Sequence, residues 1–490
     1  MGPQLWNSWL SSLSAWTALG SGVDLGWYPP RNTSVNDLAT ALRGSGVYGF
    51  IFNSSHTPDE EYGVYNWCNM PHVRKSEYAK ASAEYELRYV EVIQRHHKRT
   101  PYASNAFPVE SYHWDCDDQG LYYYGAPFGD DNKRPASGFW KGFVSSANPF
   151  VPTGWIGTCQ FPQITAPGLD DSYVHGQDIY GVYHELLGFL PSRHDDSWRS
   201  KVIYRVTQNV ITSQVAGMLV SGTWGTTDSI PLLIAAVGVD SLEPQYACAV
   251  GGALFGEIKS SADTAWQDHL DGAKDVYALL DDISGVPPTD AGFHASFDHY
   301  FDNLSARQCH AKPLPCKLVT GTPCIDQALA DTVYRLGQWE YSRIYRDASQ
   351  SFAASVASYG VWIAELAGHL RAVMAGEDQT PLYFHNVAHD GSVSRLLSIL
   401  QVDLMVWPGM GSEVVFELYE RTRHSTQQHN PSPSAYYVRV LFGGRVLQSS
   451  NPSLGVMDML PAETLLAYFD GLVGRDAGLV VGRCDGTVKT

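Results

Sequence analysis

Apolar residues occur along the chain as short continuous runs and as helical stripes, and together they predict a mixed α/β fold. Runs typical of buried strands occupy residues 87–93, 202–206 and 382–387. Helices are expected from Gly168 to the residue before Pro191, near Ile211–Val220 and over Val393–Leu400. Because strands and helices alternate, the sequence predicts an α/β core.

The middle of the chain shows sustained helical spacing instead. One apolar stripe falls at offsets of 4, 7, 11, 14 and 18 residues and consists of Phe352, Val356, Tyr359, Ile363, Leu366 and Leu370. A shorter stripe, at offsets of 3, 7 and 10, consists of Leu270, Ala273, Tyr277 and Leu280. Such stripes face a core rather than bind a cofactor. We therefore predict a helical cap inserted into the α/β core.

These patterns divide the chain into regions. The predicted regions are a candidate signal peptide (1–20), an irregular N-terminal extension (21–85), an α/β core (86–224 and 381–490) and the helical cap insertion (225–380). A long loop is expected over 102–160, which is rich in Gly, Pro, Asp and aromatic residues. The core should close with strands Glu413–Tyr419 and Tyr436–Phe442, the second ending in a Gly443-Gly444 turn.

The net charge and the hydropathy of the chain disfavour some classes of binding partner. The formal net charge of −18 disfavours nucleic acids and anionic membranes as partners, because neither counterion release nor surface attraction would favour docking. No apolar run approaches the length of a membrane span. An anionic small molecule would have to be attracted by a local basic site. The sequence does not indicate an oligomeric state.

Features of export are also present. Residues 5–19 are moderately apolar and end in Ala18-Leu19-Gly20, although no Lys or Arg precedes them. The eight cysteines lack zinc-ligand spacing, so we expect disulfides, with Cys309, Cys316 and Cys324 marking a stapled loop. Glycosylation sequons start at Asn32, Asn53 and Asn303. We predict a secreted glycoprotein, with a cytoplasmic location as the alternative.

Two polar clusters follow predicted strands. The first is RHHKRTP (95–101), directly after the strand at 87–93, and the second is His389-Asp390, after the strand at 382–387. In an open α/β sheet both would lie at one crevice. An imidazole can attack phosphorus, guanidinium groups can hold phosphoryl oxygens, and a carboxylic acid can protonate a leaving oxygen. The set suits phosphoryl transfer without a metal or another cofactor.

The first cluster resembles the RHGxRxP signature of the histidine acid phosphatases, and AHDGSVSRLL resembles their downstream HD motif. QITAPGLDDSYVHGQDIYG, FDNLSARQCHAKPLPC, SEVVFELYE and YYVRVLFGG are similar to further family segments, so the resemblance covers about residues 85–485. The resemblance is strongest to a secreted fungal branch of the family, which is itself distantly similar to the 2-phosphoxylose phosphatases. The resemblance implies a phosphoglycerate-mutase-like mixed sheet flanked by helices, with an inserted helical cap.

The resemblance also implies residue roles. His96 would be the nucleophile, Arg95 and Arg99 the phosphate clamps, His389 a further phosphate donor and Asp390 the proton donor. Two positions depart from the family pattern. His97 replaces the glycine of the first motif, and Asn209 stands where the family has a third phosphate-binding arginine. Both are expected to line the substrate site, whereas His175, His310 and His385 are expected to be structural.

These departures leave several functions open. The leading hypothesis is an acid phosphomonoesterase that acts through a phosphohistidine on a small anionic substrate. One alternative is a non-phosphoryl acid–base reaction on a small metabolite. Another is a non-catalytic, anion-binding relative that keeps the fold and the pocket.

Overall fold

A computed structural model describes residues 22–49, 65–108, 113–116, 122–125, 136–139, 143, 145, 147–151, 157–226, 228, 230–378, 380–422 and 435–489, with the backbone alone at 122–125 and 136–139. The predicted signal peptide and the sequon at Asn53 lie outside these residues. The strands are β1 (Tyr85–Arg95), β2 (Tyr122–Gly125), β3 (Ala136–Phe139), β4 (Val202–Val206), β5 (Leu232–Ile234), β6 (Tyr383–Ala388), β7 (Glu413–Arg421), β8 (Tyr436–Phe442), β9 (Arg445–Val446) and β10 (Leu460–Pro461).

The α-helices alternate with the strands and also fill the middle of the chain. They are α1 (Leu38–Arg43), α2 (Ala166–Tyr180), α3 (Val210–Trp224), α4 (Ala249–Ile258), α5 (Thr264–Gly272), α6 (Lys274–Ser284), α7 (Ala291–Ala295), α8 (Asp298–Cys309), α9 (Gln327–Ser342), α10 (Ser349–Ala375), α11 (Asp390–Ile399), α12 (Ala462–Val473) and α13 (Val480–Asp485). A π-helical turn, Arg343–Asp347, continues α9. No helix in the described part of the chain is long and apolar enough to cross a membrane.

A mixed sheet forms the centre of the molecule, in the order β10-β8-β7-β1-β6-β4-β5, with β9 paired to β8. Neighbours from β1 through β6 and β4 to β5 run parallel, whereas β7 is antiparallel to both β1 and β8. The predicted closing strands are therefore confirmed. The turn between β8 and β9 uses Gly443 and Gly444, whose φ angles are +59° and +72°, a region that glycine enters without steric cost.

The central position of β1 follows from its sequence. From Tyr89 to Arg95 every residue of the strand is buried, as expected for a strand covered on both faces. On one face of β1, Tyr89 and Ile93 belong to a large apolar cluster with α10, α11 and α12. On the other face, Val90 and Val92 pack with α2 and α3. This packing fixes the strand, and with it the polar residues at its carboxyl end.

The helix predicted from the apolar stripe between Phe352 and Leu370 is confirmed. It is α10, in which all six residues of the stripe are buried. The shorter stripe is not one helix. The chain breaks at Ala273, between α5 and α6, so a single helical period does not continue through it. Helix α10 and strand β5 fall within the range of the predicted insertion, yet α10 packs against the sheet and β5 belongs to it.

Disulfides join all eight cysteines, as expected: Cys68–Cys309, Cys116–Cys159, Cys248–Cys484 and Cys316–Cys324. The last of these staples the predicted loop, whereas Cys309 pairs far along the chain. The sequon at Asn303 is not available for glycosylation in the folded protein. Its side chain is fully buried in α8 and donates a hydrogen bond to the carbonyl of Asn105. Asn32 is exposed.

Candidate active site

The two polar clusters meet because β1 and β6 are parallel neighbours. Arg95 is in register with Ala388, so both strands end at the same level of the sheet. The backbone N–H of His96 donates to the carbonyl of Ala388 at 3.1 Å. The rings of His96 and His389 consequently lie 5.4 Å apart, centroid to centroid. Residues almost three hundred positions apart thus form one site at the carboxyl edge of the sheet.

The imidazole of His96 is held in one tautomer. Its Nδ1 lies 2.9 Å from the carbonyl oxygen of His97, and a carbonyl can only accept, so Nδ1 carries the proton. Nε2 therefore keeps its lone pair. Burial lowers the pKa of His96 well below its usual value, and the positive charges of Arg95 and Arg99 lower it further. The ring stays neutral, and thus nucleophilic, in acid.

Arg95 lies almost fully buried between a backbone carbonyl and a carboxylate. Its guanidinium donates to the carbonyl of Pro408 at 2.6 Å and pairs with Asp390 at 3.2 Å. The group also lies over the ring of Trp67, 4.6 Å from the centroid. The remaining Nε–H is buried and has no hydrogen-bond partner among the described residues.

Arg99 has a similar environment. Its guanidinium pairs with Asp302 of α8 at 2.9 Å, donates to the carbonyl of Thr100 and lies 4.2 Å above the ring of Tyr102. Its Nε–H is also buried without a partner in the described part of the chain. Buried donors of this kind are rarely left unsatisfied. Two such guanidinium N–H groups next to His96 are suited to bind an anion.

His389 is oriented by the loop after β4. Its Nε2 lies 3.0 Å from the hydroxyl of Thr207 and 3.6 Å from the carboxylate of Glu243. Burial lowers the pKa of His389 to about 4; the charge of Asp390 opposes that shift. The imidazole is therefore neutral over most of the acid range and can donate one hydrogen bond to a ligand.

Asp390 is the first residue of α11 and is more accessible than the arginines, with 22% of its side chain exposed. Its Oδ2 accepts from the indole of Trp407 at 2.7 Å, and its Oδ1 accepts from the N–H of Gly391 at 2.8 Å. Burial raises the pKa of this carboxyl, but Arg95 and the Trp407 hydrogen bond outweigh burial, so the pKa lies below its usual value.

His97 does not share the surroundings of His96. Its imidazole is fully buried, with Nε2 3.2 Å from Nδ1 of His175. His175 in turn bonds Glu413 at 3.0 Å and stacks on His72 at 4.0 Å. A Cβ on Gly411 would lie 2.3 Å from the His97 ring. The position that we expected to line the substrate site is occupied by a side chain that packs into a histidine cluster.

The structural role expected for His175 and His385 is confirmed. Both are fully buried and hydrogen-bonded; His385 lies 2.8 Å from the side-chain oxygen of Gln94. His310 is likewise bonded, through Nδ1 to the carbonyl of Ala306 and through Nε2 to the hydroxyl of Thr165.

Asn209 caps the N-terminus of α3, its side-chain oxygen accepting from the N–H of Ile211. Its amide nitrogen lies 3.4 Å from the hydroxyl of Tyr102, the residue whose ring lies beneath Arg99. Asn209 therefore contacts Tyr102, which in turn contacts Arg99.

Asp302, Trp407 and Glu243 are among the residues of this site that were not singled out from the sequence. Asp302 lies in the FDNLSARQC segment, which the resemblance did mark, so its position offered a signal. Trp407 and Glu243 lie in irregular segments without periodicity or motif. Only the tertiary structure brings them to Asp390 and His389.

No protein-family model matches this chain, and neither does any curated protein sequence. Solved structures do match. The apo form of Hafnia alvei phytase has 12% sequence identity and a TM-score of 0.52, with 81% of this chain and 99% of that chain covered. Klebsiella sp. ASR1 phytase has 15% identity and a TM-score of 0.51, with 81% and 96% covered. The chain therefore shares the fold of these phytases, and the predicted fold class is confirmed.

Proposed function

We propose that this protein is a metal-independent acid phosphomonoesterase of the histidine acid phosphatase type that acts through a phosphohistidine at His96. The observation that carries the proposal is the tautomer of His96. Its Nδ1–H is committed to the carbonyl of His97, so Nε2 is the available nucleophile, next to two arginines that have unsatisfied donors. The phytase fold is consistent with this chemistry.

In the proposed first step, Nε2 of His96 forms a bond to phosphorus while the ester P–O bond breaks. Arg95 and Arg99 would hold the phosphoryl oxygens, and His389 would donate to another of them. Asp390 would give its proton to the leaving oxygen. In the second step the oxygen of water would form a bond to phosphorus while the P–Nε2 bond breaks and a water proton passes to Asp390, which would release inorganic phosphate and regenerate neutral His96.

The proposal includes an acid optimum, which follows from two opposite requirements. The nucleophile has to be unprotonated, and the pKa of His96 is lowered well below its usual value. The acid has to be protonated, and Asp390 also has a lowered pKa. An unprotonated His96 and a protonated Asp390 occur together only in acid solution. Four disulfides are consistent with secretion, which remains part of the proposal.

Trapping of the phosphoenzyme tests this function. Rapid mixing with ³²P-labelled phosphomonoester at pH 5, followed by an alkaline quench, should leave label on the protein. His96→Ala should abolish the label and lower kcat by about a thousandfold or more. His194→Ala, which removes an exposed histidine, is the matched control and should retain both.

The outcome also separates the two alternatives. Stabilisation by inorganic phosphate without label or turnover would overturn the hydrolase and favour an anion-binding protein. Neither stabilisation nor turnover would favour the non-phosphoryl reaction. The replacement of the expected arginine by Asn209 is the observation that keeps these alternatives relevant.

A further inference from the structure

An aromatic surface lies next to Asp390. The indole of Trp407 donates to this carboxylate, and the ring of Tyr341 stacks on Trp407 with the centroids 4.0 Å apart and the planes 12° from parallel. Tyr345 lies 5.0 Å from Tyr341, and Phe255 lies 5.4 Å from Tyr345. We call these four residues, Trp407, Tyr341, Tyr345 and Phe255, the aromatic wall.

Three of the four residues of the aromatic wall are partly exposed. Trp407 is buried, but Tyr341, Tyr345 and Phe255 are only half-buried. The hydroxyl of Tyr345 lies 3.7 Å from the position that a Cβ on Gly391 would take. Burial raises the pKa of Tyr341, and the negative charge of Asp390 raises it further. Partly exposed rings therefore adjoin the residue proposed to protonate the leaving group.

A guanidinium completes this surface. The group of Arg395 lies 5.0 Å from the ring centroid of Phe255 and 5.6 Å from that of Tyr345, and it donates to the carbonyl of Gly391 at 2.8 Å. Arginine held against aromatic rings contributes a flat surface on which another ring can stack. The wall thus combines planar apolar faces with one planar cation.

Carboxylates accompany the two clamps. Among the described residues near His96 and His389, the guanidiniums of Arg95 and Arg99 occur together with the carboxylates of Asp390, Asp302 and Glu243. Arg95 and Arg99 are each paired with one of these carboxylates. The two clamps can hold one phosphate. Beside them, the described part of the wall presents aromatic rings and the single guanidinium of Arg395.

We propose that the preferred substrates are monophosphate esters of an uncharged ring alcohol, whose ring stacks on the aromatic wall, rather than polyphosphorylated polyols. This inference rests on the proposed phosphatase function and specifies its substrate class. The ring would lie against Tyr341 and Tyr345, with its ester oxygen towards Asp390. Burial of a ring and its stacking on aromatic side chains supply the selectivity.

The test compares substrates that differ in the ring but not in the reactivity of the ester. Benzyl phosphate and n-propyl phosphate both release a primary alcohol, and myo-inositol hexakisphosphate supplies a polyanion. We expect kcat/KM for benzyl phosphate to exceed that for n-propyl phosphate by about tenfold or more, equivalent to 1.4 kcal/mol. Turnover of the hexakisphosphate should be slower than that of either. Equal rates for benzyl and propyl esters, or faster turnover of the hexakisphosphate, would overturn the inference.

Variants of the aromatic wall test which residues cause the preference for the benzyl ester. Tyr345→Ala should reduce the benzyl-to-propyl ratio of kcat/KM to about threefold or less, and Tyr345→Phe should restore the ratio. Phe255→Ala offers a second removal if the first variant does not fold. Tyr436→Ala is the control, because Tyr436 pairs with Glu420, which is at the end of the sheet opposite to His96.

Failure of the inference and failure of the function give different results. Equal, His96-dependent turnover of the benzyl and propyl esters would reject the ring preference while supporting the phosphatase. Absence of turnover for all three substrates would reject the phosphatase and the inference with it. A ratio unchanged in Tyr345→Ala and in Phe255→Ala would reject the aromatic wall as its cause.

Discussion

The Nδ1–H of His96 donates to the backbone carbonyl of His97, 2.9 Å away. Because the acceptor belongs to the backbone, this bond does not depend on the side chain of residue 97. That side chain is directed elsewhere, with its Nε2 3.2 Å from His175. One residue thus supplies a carbonyl that fixes the proposed nucleophile and an imidazole that fills the core.

Replacement of His97 by glycine should therefore affect stability more than activity. Loss of a fully buried side chain leaves a cavity and removes the hydrogen bond to His175, so the free energy of unfolding should fall by about 3 kcal/mol. Urea unfolding measures this. The kcat of the folded fraction should stay within about threefold of wild type, and a loss comparable with that of His96→Ala would contradict the separation of roles.

Gly411→Ala provides a coupled test of the same packing. A methyl group there would lie 2.3 Å from the His97 ring, at a φ of +73°. The single variant should lose several kcal/mol in unfolding free energy. In the His97→Gly background only the backbone penalty of about 1–2 kcal/mol should remain. Additive effects in the double-mutant cycle would show that the two positions are not in contact.

Asn209→Arg should strengthen anion binding. Asn209 reaches the hydroxyl of Tyr102, beneath Arg99, so a guanidinium at this position would add a cation beside the clamps. We expect the Kd for inorganic phosphate, measured by calorimetry at pH 5, to fall by about tenfold. Asn209→Met controls for the lost helix cap, which should cost both variants about 1 kcal/mol. Equal phosphate affinities in the two variants would place residue 209 outside the phosphate site.

Trp407→Phe should shift the pH profile of kcat. The indole hydrogen bond is one of the interactions that lower the pKa of Asp390, so its removal should raise that pKa. The proposed acid would then remain protonated at higher pH, and the alkaline limb of the profile should move to higher pH. The matched control is Trp224→Phe, which removes an indole donor to Tyr204 far from Asp390. An unmoved limb in Trp407→Phe would contradict the assignment of Asp390 as the acid.

Stability should decrease in acid partly because of His389. Its pKa is about 4 in the folded protein, below the usual 6.5, so the unfolded chain binds the proton more readily between these values. The contribution is complete above pH 6.5 and is lost as the pH falls towards 4, on the order of 3 kcal/mol in total. Urea unfolding at pH 7 and pH 4.5 should show a smaller difference for His389→Asn than for wild type.

His369 supplies a control of opposite sign. Burial lowers its pKa, but the hydrogen bond and charge of Glu91 outweigh burial and raise it. Its contribution is complete at low pH and is lost as the pH rises. His369→Asn should therefore enlarge the difference between pH 7 and pH 4.5. Identical changes in the two variants would contradict both assignments.

Much of the fold followed from local patterns. The buried run at β1, the stripe of α10 and the closing pair β7 and β8 are each specified by residues close together in sequence, because strand and helix periodicities are local properties. The break between α5 and α6 was missed. The backbone turns at Ala273 although the apolar spacing continues through it, and spacing alone does not reveal such a turn.

The sequence by itself determined the mixed α/β class and which residues could form a site, since the motifs at His96 and Asp390 directly follow recognisable strands. The tertiary structure decided what those residues contact. The parallel pairing of β1 with β6 brings the clusters together. Asp302 reaches Arg99 from α8, and Trp407 reaches Asp390 from the segment between α11 and β7. It also decided the direction of His97, because a side chain's orientation at a strand end depends on the space left by other elements, here Gly411 and His175.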